Sequence, residues 1–386
     1  MFSPRTLSAL TIACTLALTA CSEDSKHDPV APVEEDEGTA AVPVDYSQGR
    51  AMNKRLGKGI NLGNSWDSQG NRLDCSWGNC IDDKDFATIK NAGFNSIRLP
   101  VRWQYDSDYS THTVDPERLA GVKEDIQLAI DQGLAVVVNF HHYVELNNLC
   151  SAKNRGNADS TALYEEERAH FLALWDQVSK ELNSFPDDML VLEILNEPTC
   201  PNADDVNDLM NSAYSVIRKN APGKTIMFEA YHAAKFADLK ALKLPQDGNI
   251  IYSGHYYEPY GYSHQGHSYS CTGDAAYANT ARADLGTYVK MATELYPDVN
   301  GGHVPMNMGE FGISGGTDRA NKNMCNAGDQ LPSARMKAQW AQKSIEAAEL
   351  FDISWHYWGF TLVGGFEAYD RDNDTWFEGF PAAFGL

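Results

Sequence analysis

Eight short apolar segments alternate with amphipathic segments along most of this 386-residue chain. The predicted strands are Gly59–Gly63, Asn95–Leu99, Ala135–Phe140, Leu190–Leu195, Thr225–Glu229, Ile250–Gly254, Pro305–Gly309 and Ile353–Tyr357. The predicted helices are Asp82–Asn91, Pro116–Gln132, Tyr164–Asn183, Asp204–Asn220, Asn279–Leu295 and Pro332–Leu350. Strands that alternate with helical crossovers form parallel sheets. The pattern therefore predicts an α/β fold, namely a single (β/α)8 TIM-barrel domain over residues 47–386.

Polar and aromatic side chains cluster where these predicted strands end. They include Asn64, Trp66, Arg98, His141, His142, Asn196, Glu197, Glu229, His255, Tyr257, Glu310 and Trp358. In a parallel barrel the carboxyl ends of the strands open onto one face, and that face carries the active site. We therefore expect these side chains to converge on one site.

Seven motifs lie at those strand ends. They are GINLGN at 59–64, GFNSIRLPVRW at 93–103, NFHHY at 139–143, LEILNEP at 192–198, HYY at 255–257, MGEFG at 308–312 and HYW at 356–358. Together they resemble glycoside hydrolase family five, the cellulase-type members of the retaining barrel clan, over about residues 47–375. The joint occurrence of NEP after the fourth strand and GEFG after the seventh makes the resemblance specific.

The resemblance implies a role for each motif residue. Glu197 is expected to be the acid/base and Glu310 the nucleophile. The surrounding substrate-binding shell is expected to comprise Arg98, His141, Asn196, His255, Tyr257 and Trp358, with His142, Asn64 and Trp66 as further members. Retaining glycosidases use one protonated carboxyl and one carboxylate, so no cofactor is expected.

Neighbouring side chains should control the two carboxyl groups. Arg98 and Tyr257 are expected to keep Glu310 ionised through charge-assisted hydrogen bonds, and His255 is expected to help keep Glu197 protonated. Asn196 beside the acid can bond the sugar 2-hydroxyl. Trp358 offers a flat floor for the reacting ring.

The adjacent histidines His141 and His142 could suggest a metal site. No third ligand follows at a zinc-like spacing, so we expect a hydrogen-bonded imidazole and no metal. Which of the two faces the site is open, and the family pattern favours His141. Glu193 and Glu229 are read as buried structural carboxylates, with Glu193 a candidate partner of Arg98.

Several loop aromatics are candidates for stacking on sugar rings, although core packing is at least as common for such residues. They are Trp66, Trp77, Trp103, Tyr143, Tyr231, Tyr260 and Trp376.

The charge balance excludes one class of partner. The chain has 31 Lys and Arg against 53 Asp and Glu, a formal net charge of −22. Nucleic acid is therefore not an expected partner, because no clustered basic face is available to displace counterions from phosphates. We expect a monomer that binds a neutral polysaccharide.

The N-terminal residues look like an export signal. Arg5 precedes a largely apolar run over 7–18, and Leu18-Thr19-Ala20-Cys21 resembles a bacterial lipobox. Residues 1–20 are thus predicted to be a lipoprotein signal peptide, with lipidation at Cys21; an ordinary secreted protein cut nearby is the alternative. Residues 21–46, which are acidic and rich in proline, are predicted to be a disordered tether. Because Ser22 is not Asp, we expect an outer-membrane or cell-surface lipoprotein.

Six cysteines remain after Cys14 and Cys21 are set aside, and an even number in an exported chain favours disulfides. In a barrel, neighbouring loops on one face can meet, whereas distant loops would have to cross the cleft. The predicted pairs are Cys75–Cys80, Cys150–Cys200 and Cys271–Cys325.

The expected function is a retaining endo-β-1,4-glucanase, a cellulase that acts on β-glucan polysaccharides or oligosaccharides. The same chemistry on xyloglucan, mixed-linkage β-glucan or β-mannan is the alternative, because loop contacts select among these substrates. A non-catalytic polysaccharide-binding lipoprotein is a remote alternative, since a protein that only binds has no need of both carboxyl groups.

Overall fold

The computed structural model describes residues 41–68, 77–266, 269, 271–314, 330–361 and 365–386. Its strands are β1 (Lys58–Asn61), β2 (Ser96–Leu99), β3 (Ala135–Asn139), β4 (Leu190–Glu193), β5 (Thr225–Glu229), β6 (Ile250–Tyr256), β7 (Met306–Phe311), β8 (Ser354–Tyr357), β9 (Tyr369–Asp370) and β10 (Thr375–Trp376). Its helices are α1 (Ser47–Leu56), α2 (Asp83–Asn91), α3 (Pro116–Asp131), α4 (Val144–Asn154), α5 (Ala158–Leu182), α6 (Ala203–Asn220), the short turns α7 (Tyr231–Ala234) and α8 (Tyr260–Ser263), α9 (Ala281–Leu295), α10 (Ala334–Leu350) and α11 (Phe380–Phe384). A 3-10 helix covers Phe236–Ala241.

Strands β1 to β8 pair in chain order, all parallel, and β8 returns to β1 to close the barrel. The (β/α)8 prediction is confirmed. Each predicted strand overlaps the observed one, because barrel strands are buried on both faces and read as continuous apolar runs. The β9–β10 hairpin lies outside the barrel sheet.

Helices α1 and α4 were not predicted, and α5 begins earlier than expected. The side chain of Asn157 caps α5 by accepting a hydrogen bond from the amide of Ser160, so the helix starts at Ala158 rather than at Tyr164. A similar cap begins α3, where Asp115 accepts from the amide of Arg118.

Helix α1 closes the bottom of the barrel. Its Met52 and Leu56 pack in one cluster with inward-facing residues of β3 to β6. These are Ala135, Val137, Val191, Met227 and Ile251. The lower interior is therefore apolar beside β3 to β6, whereas beside β2 and β8 it contains Ser96 and Ser354, which are hydrogen-bonded to α1. Arg98 and Glu193 are buried further up, towards the carboxyl ends of the strands.

The pairing of β6 with β7 contains one irregularity. Gly254 pairs with Met308, but the next residue, His255, pairs with Glu310, so Gly309 is an additional residue on β7. A Cβ atom at Gly309 would lie 2.6 Å from the hydroxyl of Ser253, so glycine is the residue that fits there. Such bulges redirect side chains next to active sites, and this one sets His255 opposite Glu310.

Within the described residues, no helix is both long and apolar enough to cross a bilayer. The predicted signal peptide, Cys21 and the first part of the predicted tether lie outside these residues.

Candidate active site

The polar strand ends converge on an open cleft of about 1010 Å³ at the carboxyl end of the barrel. Its lining includes His141, His142, Asn196, Glu197, His255, Tyr257, Glu310 and Trp358. These eight residues were predicted from sequence as one site, and the structure brings them together.

Glu310 sits within β7 and is 5% exposed. Its Oε1 accepts a hydrogen bond from Nη1 of Arg98 at 2.7 Å, and its Oε2 accepts one from the hydroxyl of Tyr257 at 2.9 Å. Both donors predicted for this carboxylate are therefore in place. Bonds of this type stabilise the charged form of a carboxyl group.

Arg98 is fully buried and serves two carboxylates. Its Nε and Nη2 donate to Glu193 at 2.8 and 2.7 Å, while Nη1 also donates to Asn61 at 3.0 Å. Nη2 donates to Oδ1 of Asn196 at 2.6 Å, which turns the amide nitrogen of Asn196 away from the guanidinium. Arg98 therefore contacts both partners considered from the sequence, the structural carboxylate Glu193 and the candidate nucleophile Glu310.

Burial alone would raise the pKa of Glu193, but the charge and hydrogen bonds of Arg98 outweigh burial and lower the pKa to about 2. The pKa of Arg98, which burial would lower, is raised well above its ordinary value by Glu193 and Glu310. This ion pair therefore stays charged throughout the working pH range and holds the guanidinium in position for Glu310.

Glu197 follows β4 in a left-handed backbone conformation with φ 46°. Its side chain is 36% exposed, far more than that of Glu310. Oε1 lies 2.8 Å from Nδ1 of His255, and the backbone amide of Glu197 donates to Oε2 of Glu229 at 2.6 Å. The acid/base candidate is thus held by groups that can themselves gain or lose a proton.

His255 lies among three carboxyl groups. Nε2 is 3.0 Å from Oε1 of Glu229, and Nδ1 is 3.6 Å from Oε2 of Glu310. Burial alone would lower the pKa of His255, but Glu310, Glu229 and Glu197 raise it well above its ordinary value. The imidazole is therefore cationic in the free protein.

The charge on His255 reverses one expectation. Burial alone would raise the pKa of Glu197, but the hydrogen bond and charge of His255 outweigh burial and leave the pKa below its ordinary value. In the free protein the shared proton resides on His255, so the prediction that His255 keeps Glu197 protonated is wrong for this state. The 2.8 Å contact is short enough for that proton to pass to Glu197.

The spacing of the two carboxyl groups limits the chemistry. One oxygen of Glu197, one oxygen of Glu310 and a nitrogen of His255 all lie within 4.8 Å of one another. Retaining glycosidases place their carboxyl groups about 5 to 5.5 Å apart, and inverting ones about 6.5 to 9.5 Å apart. The observed spacing fits the retaining arrangement, in which one carboxylate attacks the sugar, and is shorter than the inverting arrangement requires.

His141 is buried and stacks on Trp358 with 5.7 Å between ring centroids and 6° between planes. Asn139 orients this ring. Its Nδ2 donates to Glu193 at 3.0 Å and lies 3.3 Å from Nδ1 of His141. Since an amide NH2 can only donate, Nδ1 of His141 accepts and Nε2 carries the hydrogen. His141 therefore presents a hydrogen-bond donor.

A third potential ligand joins the two histidines in space. Asp67 is buried, its Oδ2 lies 3.5 Å from Nε2 of His142, and ligand atoms of Asp67, His141 and His142 lie within 4.8 Å of one another. A metal ion binds an imidazole nitrogen only when that nitrogen carries no hydrogen. The contact with Asn139 places the hydrogen of His141 on Nε2, and this argues against a metal at that nitrogen. The group is better suited to donating and accepting hydrogen bonds with sugar hydroxyls.

The family model "Cellulase (glycosyl hydrolase family 5)" matches residues 58–361. The chain belongs to glycoside hydrolase family 5. Endoglucanase H of Acetivibrio thermocellus is 24% identical over 273 residues, 70% of this chain but 27% of that protein. Endoglucanase A of Ruminococcus albus is 26% identical over 345 residues, 83% of this chain and 86% of the relative.

Solved structures of Thermotoga maritima Cel5A resemble this family 5 hydrolase over nearly their whole length. The complex with cellobiose is 28% identical and has a TM-score of 0.70, covering 87% of this chain and 99% of the other. The complex with mannotriose is 27% identical with the same TM-score and coverage. The likeness therefore extends over most of the chain.

The prediction that Trp66 binds substrate is wrong for this hydrolase. Its indole is 2% exposed, and Nε1 donates to Asp125 of α3 at 2.7 Å. A Cβ atom at Gly121 would lie 2.6 Å from its ring, so the indole is packed against α3 and cannot stack on a sugar. Asn64 follows β1 with φ 62° and is partly exposed; its role in substrate binding stays a prediction.

Four of the other loop aromatics divide into two groups, while stacking on sugars by Trp77 and Tyr231 stays a prediction. Trp103 and Tyr143 are fully buried, and Trp376 stacks on Phe94 with 5.8 Å between ring centroids. These three belong to the core. Tyr260, in contrast, is 42% exposed and lines the cleft.

Sequence reasoning missed several cleft residues on the loops after β5 and β6. They are His232, Ala233, Lys235, Glu258, His264 and Tyr269. His232 and Ala233 have φ values of 58° and 59°, which is uncommon for residues with side chains. The loop residues carry no motif, so only the run of aromatic and histidine residues over 255–269 could have indicated them.

One predicted disulfide is present. Cys150 of α4 is bonded to Cys200 after β4, with 5.4 Å between Cα atoms, and this confirms the pairing. Cys80 and Cys271 are also disulfide-bonded. Their predicted partners, Cys75 and Cys325, lie outside the described residues.

Proposed function

We propose that this family 5 hydrolase is a retaining endo-β-1,4-glucanase with Glu310 as nucleophile and Glu197 as acid/base. The spacing of at most 4.8 Å between reactive atoms of the two carboxyl groups carries the proposal. The names of the relatives, which are endoglucanases, support the choice of β-glucan. The open cleft accommodates an extended chain and so favours cleavage within it.

In the first step, Glu310 attacks the anomeric carbon while Glu197 transfers a proton to the leaving oxygen. The proton comes from the pair formed by His255 and Glu197, which share it across 2.8 Å. A covalent glycosyl-enzyme forms and the leaving sugar departs. In the second step, Glu197 removes a proton from water, and the resulting attack releases the sugar with its original configuration.

Fixed donors support the first step. Arg98 and Tyr257 hold the Glu310 carboxylate in place for attack. Trp358, backed by the parallel ring of His141, gives the reacting sugar a flat floor. The amide of Asn196 is turned by Arg98 so that its nitrogen can donate to the 2-hydroxyl.

β-Mannan is the second candidate substrate, because the structure of Thermotoga maritima Cel5A with mannotriose is similar to this chain. Reducing-sugar release should be measured on carboxymethyl cellulose, xyloglucan, mixed-linkage β-glucan and β-mannan. Proton NMR of the first product should show the β-anomer. Release from none of them, or an α-anomer first, would refute the proposal.

We also propose that the protein is exported and anchored to the cell envelope through a lipid on Cys21. The lipobox-like residues 18–21 and the acidic segment that follows them support this. A Cys21→Ala variant should lose its association with membranes; continued partition into the membrane fraction would refute the anchor.

A further inference from the structure

Glu229 contacts the acid/base apparatus at two points. It is the last residue of β5 and is fully buried. Its Oε2 accepts the backbone N–H of Glu197 at 2.6 Å, and its Oε1 lies 3.0 Å from Nε2 of His255. Because Nδ1 of the same imidazole lies 2.8 Å from Oε1 of Glu197, the contacts form a closed loop from Glu229 to both ends of Glu197.

The first contact fixes the backbone of Glu197. A left-handed φ of 46° is uncommon for a residue with a side chain and persists only where the surroundings impose it. The amide is held by a carboxylate from the neighbouring strand at 2.6 Å. The direction in which the Glu197 side chain leaves the backbone therefore depends on Glu229.

The second contact acts on the imidazole of His255. A carboxyl group at Nε2 stabilises the cationic ring and directs Nδ1–H towards Glu197. Other groups facing Glu229 and His255 are Arg98 of β2, Glu193 of β4, Tyr252 of β6 and Glu310 of β7. Burial raises the pKa of Glu229 to about 8, against the opposing charge of His255, so this carboxyl ionises as the pH rises towards the basic limb of activity.

We propose that Glu229 is a positioning residue for the acid/base step, which orients Glu197 through its backbone amide and sets its proton supply through His255. The proposal rests on the proposed roles of Glu197 and Glu310. It assigns Glu229 more than the structural role expected from sequence. Glu229 itself does not touch the sugar.

The test uses Glu229→Gln. The amide keeps an acceptor for the Glu197 N–H but removes the carboxyl group that can ionise beside His255. The kcat/KM reports the first chemical step, so it should be measured on cellopentaose, which needs acid assistance, and on dinitrophenyl cellobioside, which does not. We expect a loss of about 10- to 100-fold on cellopentaose and less than about threefold on the aryl glycoside.

The pH profile gives a second readout. The basic limb of kcat/KM on cellopentaose belongs to the proton shared within the cluster. The side chain of the Glu229→Gln variant cannot ionise as the pH rises and so cannot stabilise the cationic His255 there, and the limb should therefore move to lower pH by about one unit. A role confined to holding the fold would leave it in place.

Glu193→Gln is the matched control. Glu193 is also fully buried at a strand end, and it bonds to Arg98 and Asn139 and interacts with Glu229, but it contacts neither the amide of Glu197 nor His255 among the described hydrogen bonds. Because Arg98 serves Glu310, this variant should lose similar factors on both substrates.

Equal losses on both substrates with an unmoved basic limb for Glu229→Gln would overturn the proposal. If that variant does not fold, a measurement on the wild-type protein still tests the proposal. Imidazole ¹⁵N shifts, assigned by comparison with His255→Gln, should show a cationic His255 at pH 6, and a neutral ring there would overturn it. Failure of the wild-type protein to hydrolyse any glycan would instead refute the proposed function.

Discussion

The two carboxyl groups of the active site are held in opposite ways. Glu310 lies within a strand, is 5% exposed and accepts hydrogen bonds from a guanidinium and a phenol. Glu197 lies just beyond a strand, has a side chain that is 36% exposed and is bonded to an imidazole. The carboxyl group proposed as the nucleophile has fixed donors, whereas the one proposed as the acid/base has a titrating neighbour and a more exposed side chain.

The largest expected effect is on the nucleophile side. Glu310→Gln should lower kcat on every substrate by about 10⁴-fold or more, because the covalent step has no replacement. Circular dichroism should show an unchanged fold. Substantial residual activity would end the assignment of Glu310 as nucleophile.

Glu197→Gln should separate the substrates. On cellopentaose kcat/KM should fall by about 10²- to 10⁴-fold, while on dinitrophenyl cellobioside, whose leaving group needs no proton, it should change little. Added azide should restore turnover of the aryl glycoside as a glycosyl azide. An equal loss on both substrates would contradict the acid role.

Tyr257→Phe removes one fixed donor from Glu310. A hydrogen bond to a charged group contributes about 1.5 to 3 kcal/mol, so kcat/KM should fall about 10- to 100-fold. The loss should be the same for aryl and natural substrates, since attack occurs in both. A loss confined to poor leaving groups would show that Tyr257 acts on the acid side.

The Cys150–Cys200 disulfide lies near the acid, because Cys200 is three residues after Glu197. Replacing both cysteines by serine should lower the free energy of unfolding by about 2 to 4 kcal/mol, measured by urea denaturation. Activity should fall less than about tenfold. An unchanged midpoint would show that the disulfide does not stabilise this side of the cleft.

The smallest effect is expected at Tyr260. Tyr260 lines the cleft on the loop after β6, and we expect the leaving sugar to bind on this side of Glu197. Tyr260→Ala should raise KM for cellopentaose about fivefold, corresponding to about 1 kcal/mol of stacking, without changing KM for the aryl glycoside. Tyr109→Ala, at an exposed tyrosine that is not among the described cleft residues, is the control. Equal effects of the two variants would contradict a subsite at Tyr260.

The sequence was sufficient to predict the barrel and to place the two candidate carboxyl groups in one cleft, for a physical reason. Strands buried on both faces are continuous apolar runs, and a polar residue at the end of such a run needs an explanation. Helix α1 gave no such signal. In its sequence SQGRAMNKRL only Met52 and Leu56 are large apolar residues, and both point into the barrel.

The environment of the acid could not be predicted in the same way. Glu229 is 32 residues from Glu197 and His255 is 58 residues away, so the proton balance among them depends on the closed sheet. The packing of Trp66 could not be predicted from the sequence either. An aromatic residue after a strand can face the cleft or a helix, and the sequence does not distinguish them.

The residues that close the barrel extend beyond the segment that matches the family. The segment that carries the family relationship, 58–361, excludes α1 and α11. Yet Met52 and Leu56 seal one end of the barrel, and Phe384 packs on Trp355 with 5.9 Å between ring centroids. A truncation guided by the family boundaries alone would expose this apolar floor to water and favour aggregation. The smallest soluble fragment is therefore expected to be larger than the segment that matches the family.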